Sequence, residues 1–380
     1  MNEKKKILMV ANVDWFYIMH RLSIGKKAKQ EHYEVVVIAK DTGRANEIKD
    51  SGLDFVNIDI SRFRINFFLE LKLILKIFRL YQTQKPSLIY HVTMKPVIYG
   101  SLITRLLNIK TVNAICGLGY NFSKKGGGLV QYIMVKLMKI GFNTKNSHLL
   151  FENKEDYKEL CRLGVISSKN KISFTKGIGA DLEKFKPQEI VNKDKLVVVL
   201  PTRMLWDKGI REFVEAARLL EAKYFGKVCF KLIGMVDNGN KDCVSETYLK
   251  SIEKGDYLKW EGFHSDMVEV YKNADIVVLP SYYKEGVPTV LIEACAMGKP
   301  IVTTDANGCR ECVEEGLNGY KVPVKSVQEL ADAIEKLINS PEDRKRMGNY
   351  SRIKAEKEFD QKDFLKLHMS IFDSMLNEIR

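Results

Sequence analysis

The sequence predicts an α/β protein built as two doubly wound domains, each with a parallel sheet covered by helices. Three observations predict this. The 380 residues are too many for one typical hydrophobic core. Short runs of valine, isoleucine and leucine alternate with longer amphipathic segments, which is typical of parallel strands joined by crossover helices. This rhythm restarts after a polar, proline-containing stretch at 186–194, where we place the hinge.

The first domain is predicted to cover residues 1–187. Its short β-branched runs predict strands at Ile7–Ala11, Glu34–Ile38, Leu88–Val92, Thr111–Cys116 and Ile172–Thr175. The amphipathic segments between these runs predict helices at Arg21–Gln30, Phe67–Tyr81, Tyr99–Leu107 and Leu129–Ile140.

The second domain is predicted to cover residues 188–362. Its strands are predicted at Leu196–Leu200, Val228–Ile233, Asp275–Leu279 and Ile301–Thr304. Its helices are predicted at Ile210–Ala222, Asp266–Lys272 and Pro288–Met297. The final segment, 363–380, reads as an amphipathic helix that returns to the first domain. Because ligands bind beyond the carboxyl ends of parallel strands, we expect the site in a cleft between the domains.

Composition narrows the choice of partner. The net charge of +13 favours an anionic partner, either a phosphorylated substrate, a membrane surface or nucleic acid. No recognised nucleic-acid-binding module is present, so we expect no nucleic acid partner. Seven scattered cysteines indicate a reducing, cytoplasmic compartment, and the Cys309–Cys312 pair has no second pair to complete a zinc site. No apolar run is long enough to span a bilayer, so we expect any membrane contact to be peripheral.

The segment 279–294 carries the clearest chemical signal. A buried strand ends near Pro280, and after a short loop a helix begins at Pro288, where the missing N–H of proline is tolerated. The backbone amides of such a helix start suit a phosphate. Glu285 and Glu293 bracket the start, and carboxylates accept hydrogen bonds from vicinal sugar hydroxyls. The alternative is that both are ordinary surface charges, which spacing alone leaves open.

A second segment is expected to converge on the same edge of the sheet. Arg203 and Lys208 follow the strand Leu196–Leu200 and precede a helix. An arginine fork and a lysine point charge could together hold a diphosphate. Lys208 alone would be interpreted as a solvated surface lysine, but both cations fall in the domain that holds the 279–294 segment.

Three stretches together resemble the retaining glycosyltransferase family 4. They are EGVPTVLIEACAMGKPIV with its Glu-x7-Glu spacing, TRMLWDKGIREFVEAA, and GIGADLEKFKP before the hinge. The resemblance implies a GT-B fold, with two Rossmann-like domains facing a cleft. It also implies transfer from a nucleotide-diphosphate sugar with retention at the anomeric carbon.

The resemblance also implies roles for individual residues. Arg203 and Lys208 would bind the diphosphate and offset the charge of the leaving group, and Glu285 would bind donor sugar hydroxyls. Glu293 would bind the ribose and Gly262-Phe263 the base. The loop Gly286-Val287-Pro288-Thr289 would supply the remaining donor contacts through its backbone N–H groups. No Asp-x-Asp occurs in the chain, so we expect no metal and no other cofactor, with protein cations acting instead.

The first domain resembles one bacterial branch of that family, which extends undecaprenyl-diphosphate-linked glycans. His20 with Arg21, the run 93–102 with Lys95, and the run 117–122 with Tyr120 carry this resemblance and are the candidate acceptor-side residues. Two positions depart from the pattern. Cys116 stands where many members have histidine, and the first strand-to-helix loop reads Val13-Asp14-Trp15-Phe16 instead of carrying a glycine pair.

The expected activity is therefore transfer of a hexose or N-acetylhexosamine from a UDP-sugar to a lipid-diphosphate-linked glycan, in bacterial surface polysaccharide or glycoprotein glycan assembly. Basic amphipathic segments at 66–81 and 124–145 would suit the anionic inner face of the cell membrane, although each also fits a core-packing helix. A dehydrogenase is disfavoured because no GxGxxG follows an early strand. The alternative is a basic membrane- or nucleotide-binding protein without transferase activity.

Overall fold

The computed structural model describes residues 5–60, 67–118, 122, 128–188, 194–282 and 286–377. The chain divides into two compact units, Met1–Ile178 with Asp363–Arg380, and Gly179–Lys362. This division falls before the expected boundary at 187 for a physical reason. Ala180 donates its N–H to the Phe359 carbonyl at 2.8 Å, and Phe185 packs into the core of the second unit.

The first unit contains a seven-stranded sheet with all neighbours parallel. Its strands are β1 (Lys6–Val13), β2 (Glu34–Lys40), β3 (Asp54–Asn57), β4 (Leu88–Val92), β5 (Lys110–Ile115), β6 (Ser147–Phe151) and β7 (Lys171–Phe174). Its helices are α1 (Asp14–His20), α2 (Leu22–Gln30), α3 (Ala45–Asp50), α4 (Phe67–Gln84), α5 (Met94–Leu107), α6 (Leu129–Phe142) and α7 (Lys154–Arg162). The spatial order is β3-β2-β1-β4-β5-β6-β7.

The second unit contains a six-stranded sheet, also parallel throughout. Its strands are β8 (Leu196–Pro201), β9 (Val228–Ile233), β10 (Leu258–Trp260), β11 (Ile276–Leu279), β12 (Ile301–Thr304) and β13 (Gly319–Val322). Its helices are α8 (Ile210–Tyr224), α9 (Glu246–Ser251), α10 (Met267–Asn273), α11 (Thr289–Ala296), α12 (Val327–Asn339) and α13 (Pro341–Glu358). Short 3-10 turns cover Trp206–Lys208 and Cys309–Cys312.

The strand order β10-β9-β8-β11-β12-β13 fixes where a ligand can bind in the second unit. From β8 the chain moves outward through β9 to β10, then returns to add β11 on the other side of β8. Val198 and Val199 of β8 lie opposite Ile276 and Val277 of β11 in parallel register. The crossover helices diverge at this junction and leave a crevice beyond the strand ends, which is the usual ligand position in open α/β sheets.

The last helix, α14 (Gln361–Asn377), completes the first unit. Its apolar face contributes Phe364, Met369, Phe372 and Met375 to the core against the sheet. The buried His368 on the same face has its Nε2 3.3 Å from the Tyr90 hydroxyl of β4. Across the ranges that the structure covers, no helix has the length and apolar character needed to cross a membrane.

The predicted α/β class with two parallel sheets is confirmed. The predicted strand lists were incomplete, because β3, β6, β10 and β13 were missed. β10 has three residues and β13 begins with a glycine, so neither forms an apolar run. β6 reads Ser-His-Leu-Leu-Phe, so polar residues begin it; the Ser147 hydroxyl accepts from the Asn113 amide, and His148 Nε2 lies 2.9 Å from Ser173 Oγ.

Candidate active site

The loops that follow β8 and β11 are joined to each other at the carboxyl edge of the second sheet. The Asp207 carbonyl accepts hydrogen bonds from the Tyr282 N–H at 3.0 Å and from the Ser281 hydroxyl at 3.3 Å. Gly209 lies against Pro280 with φ of +81°, and a Cβ there would collide with the Pro280 carbonyl. Glycine is therefore required where the two loops meet.

The β8 loop carries the two predicted cations. Lys208 ends the 3-10 turn and is only 5% exposed. The Arg203 guanidinium forms an ion pair with Asp237, Nη1 to Oδ2 2.9 Å, and both side chains remain partly exposed. Asp237 follows β9, so this ion pair joins the loops after two neighbouring strands. A buried lysine and a braced arginine at the switch point form a basic edge suited to phosphate groups.

Helix α11 begins directly at this edge. Gly286, Val287 and Pro288 are buried, and Pro288 is the N-cap of the helix. The Pro288 carbonyl accepts hydrogen bonds from the N–H groups of Leu291 at 3.0 Å and Ile292 at 3.2 Å. The earliest N–H groups of an α-helix, here from Thr289 onward, have no partner within the helix. Together with the helix dipole they favour an anion at this position.

Glu293 lies one turn into α11, where a side chain of α10 contacts its carboxyl group. The Tyr271 hydroxyl lies 3.0 Å from Glu293 Oε2. Burial raises the pKa of Glu293 to about 7, while the hydrogen bond from Tyr271 and the charge of Lys184 act to lower it. Such a carboxyl group is a strong and well-oriented acceptor when ionised, and it can take up a proton near neutral pH.

Of the remaining predicted donor residues, the structure describes Gly262 and Phe263. Gly262 and Phe263 follow β10 at the same edge, where the Gly262 carbonyl accepts the Gly234 N–H at 2.7 Å. Phe263 is 58% exposed and offers an aromatic face beyond the strand ends. Glu285 lies outside the residues that the structure describes.

In the first unit, the predicted acceptor-side residue Arg21 is buried. It is 2% exposed, and its Nη2 lies 2.6 Å from Cys116 Sγ and 2.9 Å from Glu152 Oε1. These contacts tie the start of α2 to the ends of β5 and β6. They hold the arginine and Cys116 together inside the first unit, and the acceptor contact suggested for Arg21 stays a prediction.

The other acceptor-side candidates that the structure describes have partners within the first unit. The His20 ring packs on Phe16, with centroids 4.7 Å apart, and Lys95 forms an ion pair with Glu70 of α4 at 2.6 Å. Tyr120 lies outside the described residues. His91 near the end of β4 is fully buried, and its Nε2 lies 2.9 Å from the Tyr81 hydroxyl. Burial lowers the pKa of His91 to about 4, so it is neutral at physiological pH.

Two site residues were missed from the sequence. Tyr271 and Asp237 contact the predicted Glu293 and Arg203, yet neither belongs to a recognisable motif. The only available signal was position, since Asp237 follows a predicted strand and Tyr271 lies on a predicted helix.

Comparison with known proteins agrees with this geometry. Residues 181–354 match the family "Glycosyl transferases group 1", and residues 6–153 match "Glycosyl transferase 4-like". The N,N'-diacetylbacillosaminyl-diphospho-undecaprenol alpha-1,3-N-acetylgalactosaminyltransferase of Campylobacter jejuni is 29% identical, over 94% of this chain and 96% of its own. The UDP-Gal:alpha-D-GlcNAc-diphosphoundecaprenol alpha-1,3-galactosyltransferase of Escherichia coli is 22% identical over 81% of each chain.

Solved structures give the fold independently. HepE from Anabaena, crystallised with UDP-glucose, superposes with a TM-score of 0.76 at 19% identity and covers 97% of this chain and 99% of its own. A glycosyltransferase from Rickettsia africae gives a TM-score of 0.77 at 18% identity, over 99% of this chain and 100% of its own. The fold is therefore GT-B. The first unit matches the glycosyl transferase 4-like family and the second unit matches glycosyl transferases group 1. The two matches together span most of both units, so this protein belongs to the glycosyltransferases.

Proposed function

We propose that this glycosyltransferase moves a hexose or an N-acetylhexosamine from a UDP-sugar to a lipid-diphosphate-linked glycan, in the assembly of bacterial surface polysaccharide or glycoprotein glycans. One observation carries the donor half of this proposal. The loops after β8 and β11 meet at the switch point of the second sheet, and between them they supply Arg203, Lys208 and the start of α11. That arrangement suits a nucleoside diphosphate.

The comparisons support UDP as the nucleotide and a lipid-linked acceptor. HepE has been crystallised with UDP and with UDP-glucose, and the Escherichia coli relative is named for a UDP-galactose donor. According to their names, the Campylobacter jejuni and Escherichia coli relatives act on diphospho-undecaprenol-linked sugars. The Campylobacter relative covers nearly the whole chain, which favours the same class of acceptor for this protein.

The proposed mechanism is retaining and independent of metal. The bond from the anomeric carbon to the diphosphate breaks, and the acceptor hydroxyl oxygen bonds to the same face of the sugar while its proton passes to the departing diphosphate. Negative charge then develops on the departing diphosphate, where Arg203 and Lys208 would offset it without a divalent cation. Glu293 would hold the ribose, Glu285 the donor sugar, and Phe263 would lie beside the base. Two relatives are named as alpha-1,3 transferases, which is the product expected when an α-linked donor reacts with retention.

A thermal-shift screen with UDP-, GDP- and ADP-sugars tests the donor class. UDP-sugars should raise the melting temperature, because a ligand bound only by the folded protein stabilises it by about 2.7 kcal/mol at 100 times its dissociation constant. Stronger stabilisation by GDP- or ADP-sugars would overturn the choice of nucleotide. No stabilisation by any of them would contradict the donor site.

The acceptor side is proposed to reach its lipid substrate on the inner face of the cell membrane through α6. One side of this helix packs into the core through Val135, Met138 and Phe142. The other side leaves bulky apolar side chains in solvent, among them Leu129, Val130, Tyr132, Ile133 and Ile140. Lys136, whose ammonium lies 4.5 Å from the Tyr132 ring centroid, and Lys139 accompany them. Core packing leaves these exposed residues unexplained, whereas an interfacial helix requires both features.

Sedimentation with vesicles tests this surface. The wild-type protein should bind vesicles containing phosphatidylglycerol and release at high salt, because the lysines attract anionic lipid. Replacing Leu129 and Ile133 by serine should weaken binding by roughly tenfold or more, since each buried CH₂ contributes about 0.8 kcal/mol. Leu219→Ser on α8 is the matched control, because Leu219 is also exposed, at 55%, but lies on the second unit. Equal loss in both variants would contradict a role for α6.

A further inference from the structure

Tyr271 occupies an unusual position for a fully buried tyrosine. It lies on α10, within the core of the second unit, and its ring packs edge-on against Phe185 with centroids 6.3 Å apart. Its hydroxyl reaches across to α11, where it lies 3.0 Å from Glu293 Oε2 and 3.0 Å from the Val290 carbonyl oxygen. The hydroxyl therefore contacts two acceptors of the same helix, although it has only one hydrogen to donate.

This geometry serves both protonation states of Glu293. When the carboxyl is ionised, the hydroxyl donates to Glu293 Oε2. When the carboxyl is protonated, Glu293 donates to the tyrosine oxygen, and the hydroxyl hydrogen turns to the Val290 carbonyl. Neither state leaves a buried donor without an acceptor, so the carboxyl keeps its place in both.

We propose that Tyr271 is a positioning residue that holds the Glu293 carboxylate in place for the ribose hydroxyls of the donor and makes donor binding depend on pH near neutrality. This inference rests on the proposed function, in which Glu293 binds the ribose. An ionised carboxylate accepts hydrogen bonds from both hydroxyls of a vicinal diol, whereas a protonated one has lost acceptor capacity. Donor affinity should therefore fall as Glu293 takes up a proton.

The groups around Glu293 define the direction of this pH dependence. Burial raises its pKa to about 7, and Tyr271 on α10 and Lys184 on the segment before β8 lower it. On α13, which packs against α11, Lys354 is paired with Glu314 and Glu358, and Arg352 donates to the carbonyls of Phe185 and Ala296. Removing the Tyr271 hydroxyl takes away a group that favours the ionised form, so the Glu293 pKa should rise.

The test is the affinity for UDP from pH 6 to 8.5, measured by isothermal titration and divided at each pH by the affinity for 2′,3′-dideoxy-UDP. Both ligands carry the same phosphates, so the ratio removes their titration and isolates the ribose contribution. In the wild type, the ratio should fall as the pH drops through about 7, the pKa of Glu293. In Tyr271→Phe, the midpoint should move to higher pH, and UDP should bind roughly three- to tenfold more weakly at pH 7, because a smaller fraction of Glu293 is ionised there.

Tyr257→Phe is the matched control. Tyr257 is another buried tyrosine of the second unit, and its hydroxyl donates to the Ala217 carbonyl at 2.6 Å, on α8 instead of α11. Its loss should lower stability and leave the ratio unchanged. A Tyr271→Phe profile that superposes on the wild type would overturn the inference, and so would a wild-type ratio that is flat across the range.

Failure of the proposed function gives a different result. If Glu293 does not bind the ribose, Glu293→Ala will leave the wild-type preference for UDP over the dideoxy ligand intact. If that preference is lost in Glu293→Ala while Tyr271→Phe has no effect, the ribose role stands and only the positioning role of Tyr271 fails.

Discussion

At the scale of single residues, the orientation of Arg203 depends on its ion pair with Asp237. Arg203 is held by Asp237 at 2.9 Å, so its guanidinium is already oriented at the end of β8. Transition-state charge is stabilised best by groups that need no reorganisation when the charge develops. An arginine already held by an ion pair would meet that condition for the departing diphosphate of the proposed reaction.

Arg203→Ala should therefore depress turnover by roughly 100-fold or more, because it removes a cation that meets the charge of the leaving group. Steady-state kinetics with the UDP-sugar identified by the thermal-shift screen would measure this. Arg218→Ala is the control, since Arg218 forms an exposed ion pair with Glu215 on the outer face of α8. Unchanged turnover in Arg203→Ala would mean that the leaving-group site is misassigned.

The sequence predicted some of these residues and not others for a physical reason. Arg203, Lys208 and Glu293 stand at fixed distances from strand ends and helix starts, so pattern and resemblance could identify them. Tyr271 bonds to a residue 22 positions away, and Asp237 to one 34 positions away. Contacts of that separation depend on how helices and loops pack on the sheet, which local patterns do not contain. For Arg21, local pattern did not predict burial: this basic residue lies in the interior, and its acceptor-side role stays a prediction.

At the scale of elements, the site depends on how closely two loops approach. Pro280 directly follows β11, and its atoms leave no room for a side chain at Gly209, which precedes α8. The approach brings the Asp207 carbonyl within hydrogen-bond distance of Tyr282 and Ser281. The turn Trp206–Lys208 and the start of α11 are thereby held close together.

Gly209→Ala should destabilise the second unit and weaken UDP binding together, because the new methyl group forces the two loops apart. Gly226→Ala is a close control. Gly226 has the same φ of +81°, but nothing lies within 4 Å of its Cβ position. Both variants carry the backbone cost of a left-handed alanine, roughly 1 kcal/mol, and only Gly209→Ala adds the collision. Equal melting temperatures and UDP affinities in the two variants would contradict the importance of this contact.

The elements that sequence patterns predicted well were the long, apolar ones. β8 is a continuous apolar run and β9 is interrupted only by Lys231, and periodicity alone sufficed for α8 of the second unit. Short edge strands were missed, since β10 and β13 gain their stability from pairing with β9 and β12, which is a tertiary effect.

At the scale of the whole molecule, the repeated rhythm of strands and helices gives the two-unit organisation. Packing sets the residue at which one unit ends and the next begins. The sequence suggested a hinge at the polar stretch after 186, yet residues 179–188 belong to the second unit through Ala180 and Phe185. A polar stretch identifies where a chain is exposed, but the division between units is set by which core the neighbouring apolar side chains enter.

The net charge of +13 also belongs to this scale. Lysines accompany the exposed apolar residues of α6 on the first unit, and Arg203 and Lys208 lie at the donor edge of the second. The proposed lipid-diphosphate acceptor, the nucleoside-diphosphate donor and the proposed membrane surface are all anionic, so an excess of positive charge would suit each of them.

The central claim, that this protein is a UDP-sugar-dependent transferase acting on a lipid-diphosphate acceptor, is tested most directly by transfer of labelled sugar. The purified protein is incubated with radiolabelled UDP-hexoses and UDP-N-acetylhexosamines, an undecaprenyl-diphosphate-linked sugar, and EDTA, and label in the extracted lipid is counted. Label should move into the lipid with the wild type, and much less with Glu293→Ala at low donor concentration. No transfer from any UDP-sugar by the folded protein, with or without Mg²⁺, would contradict the claim.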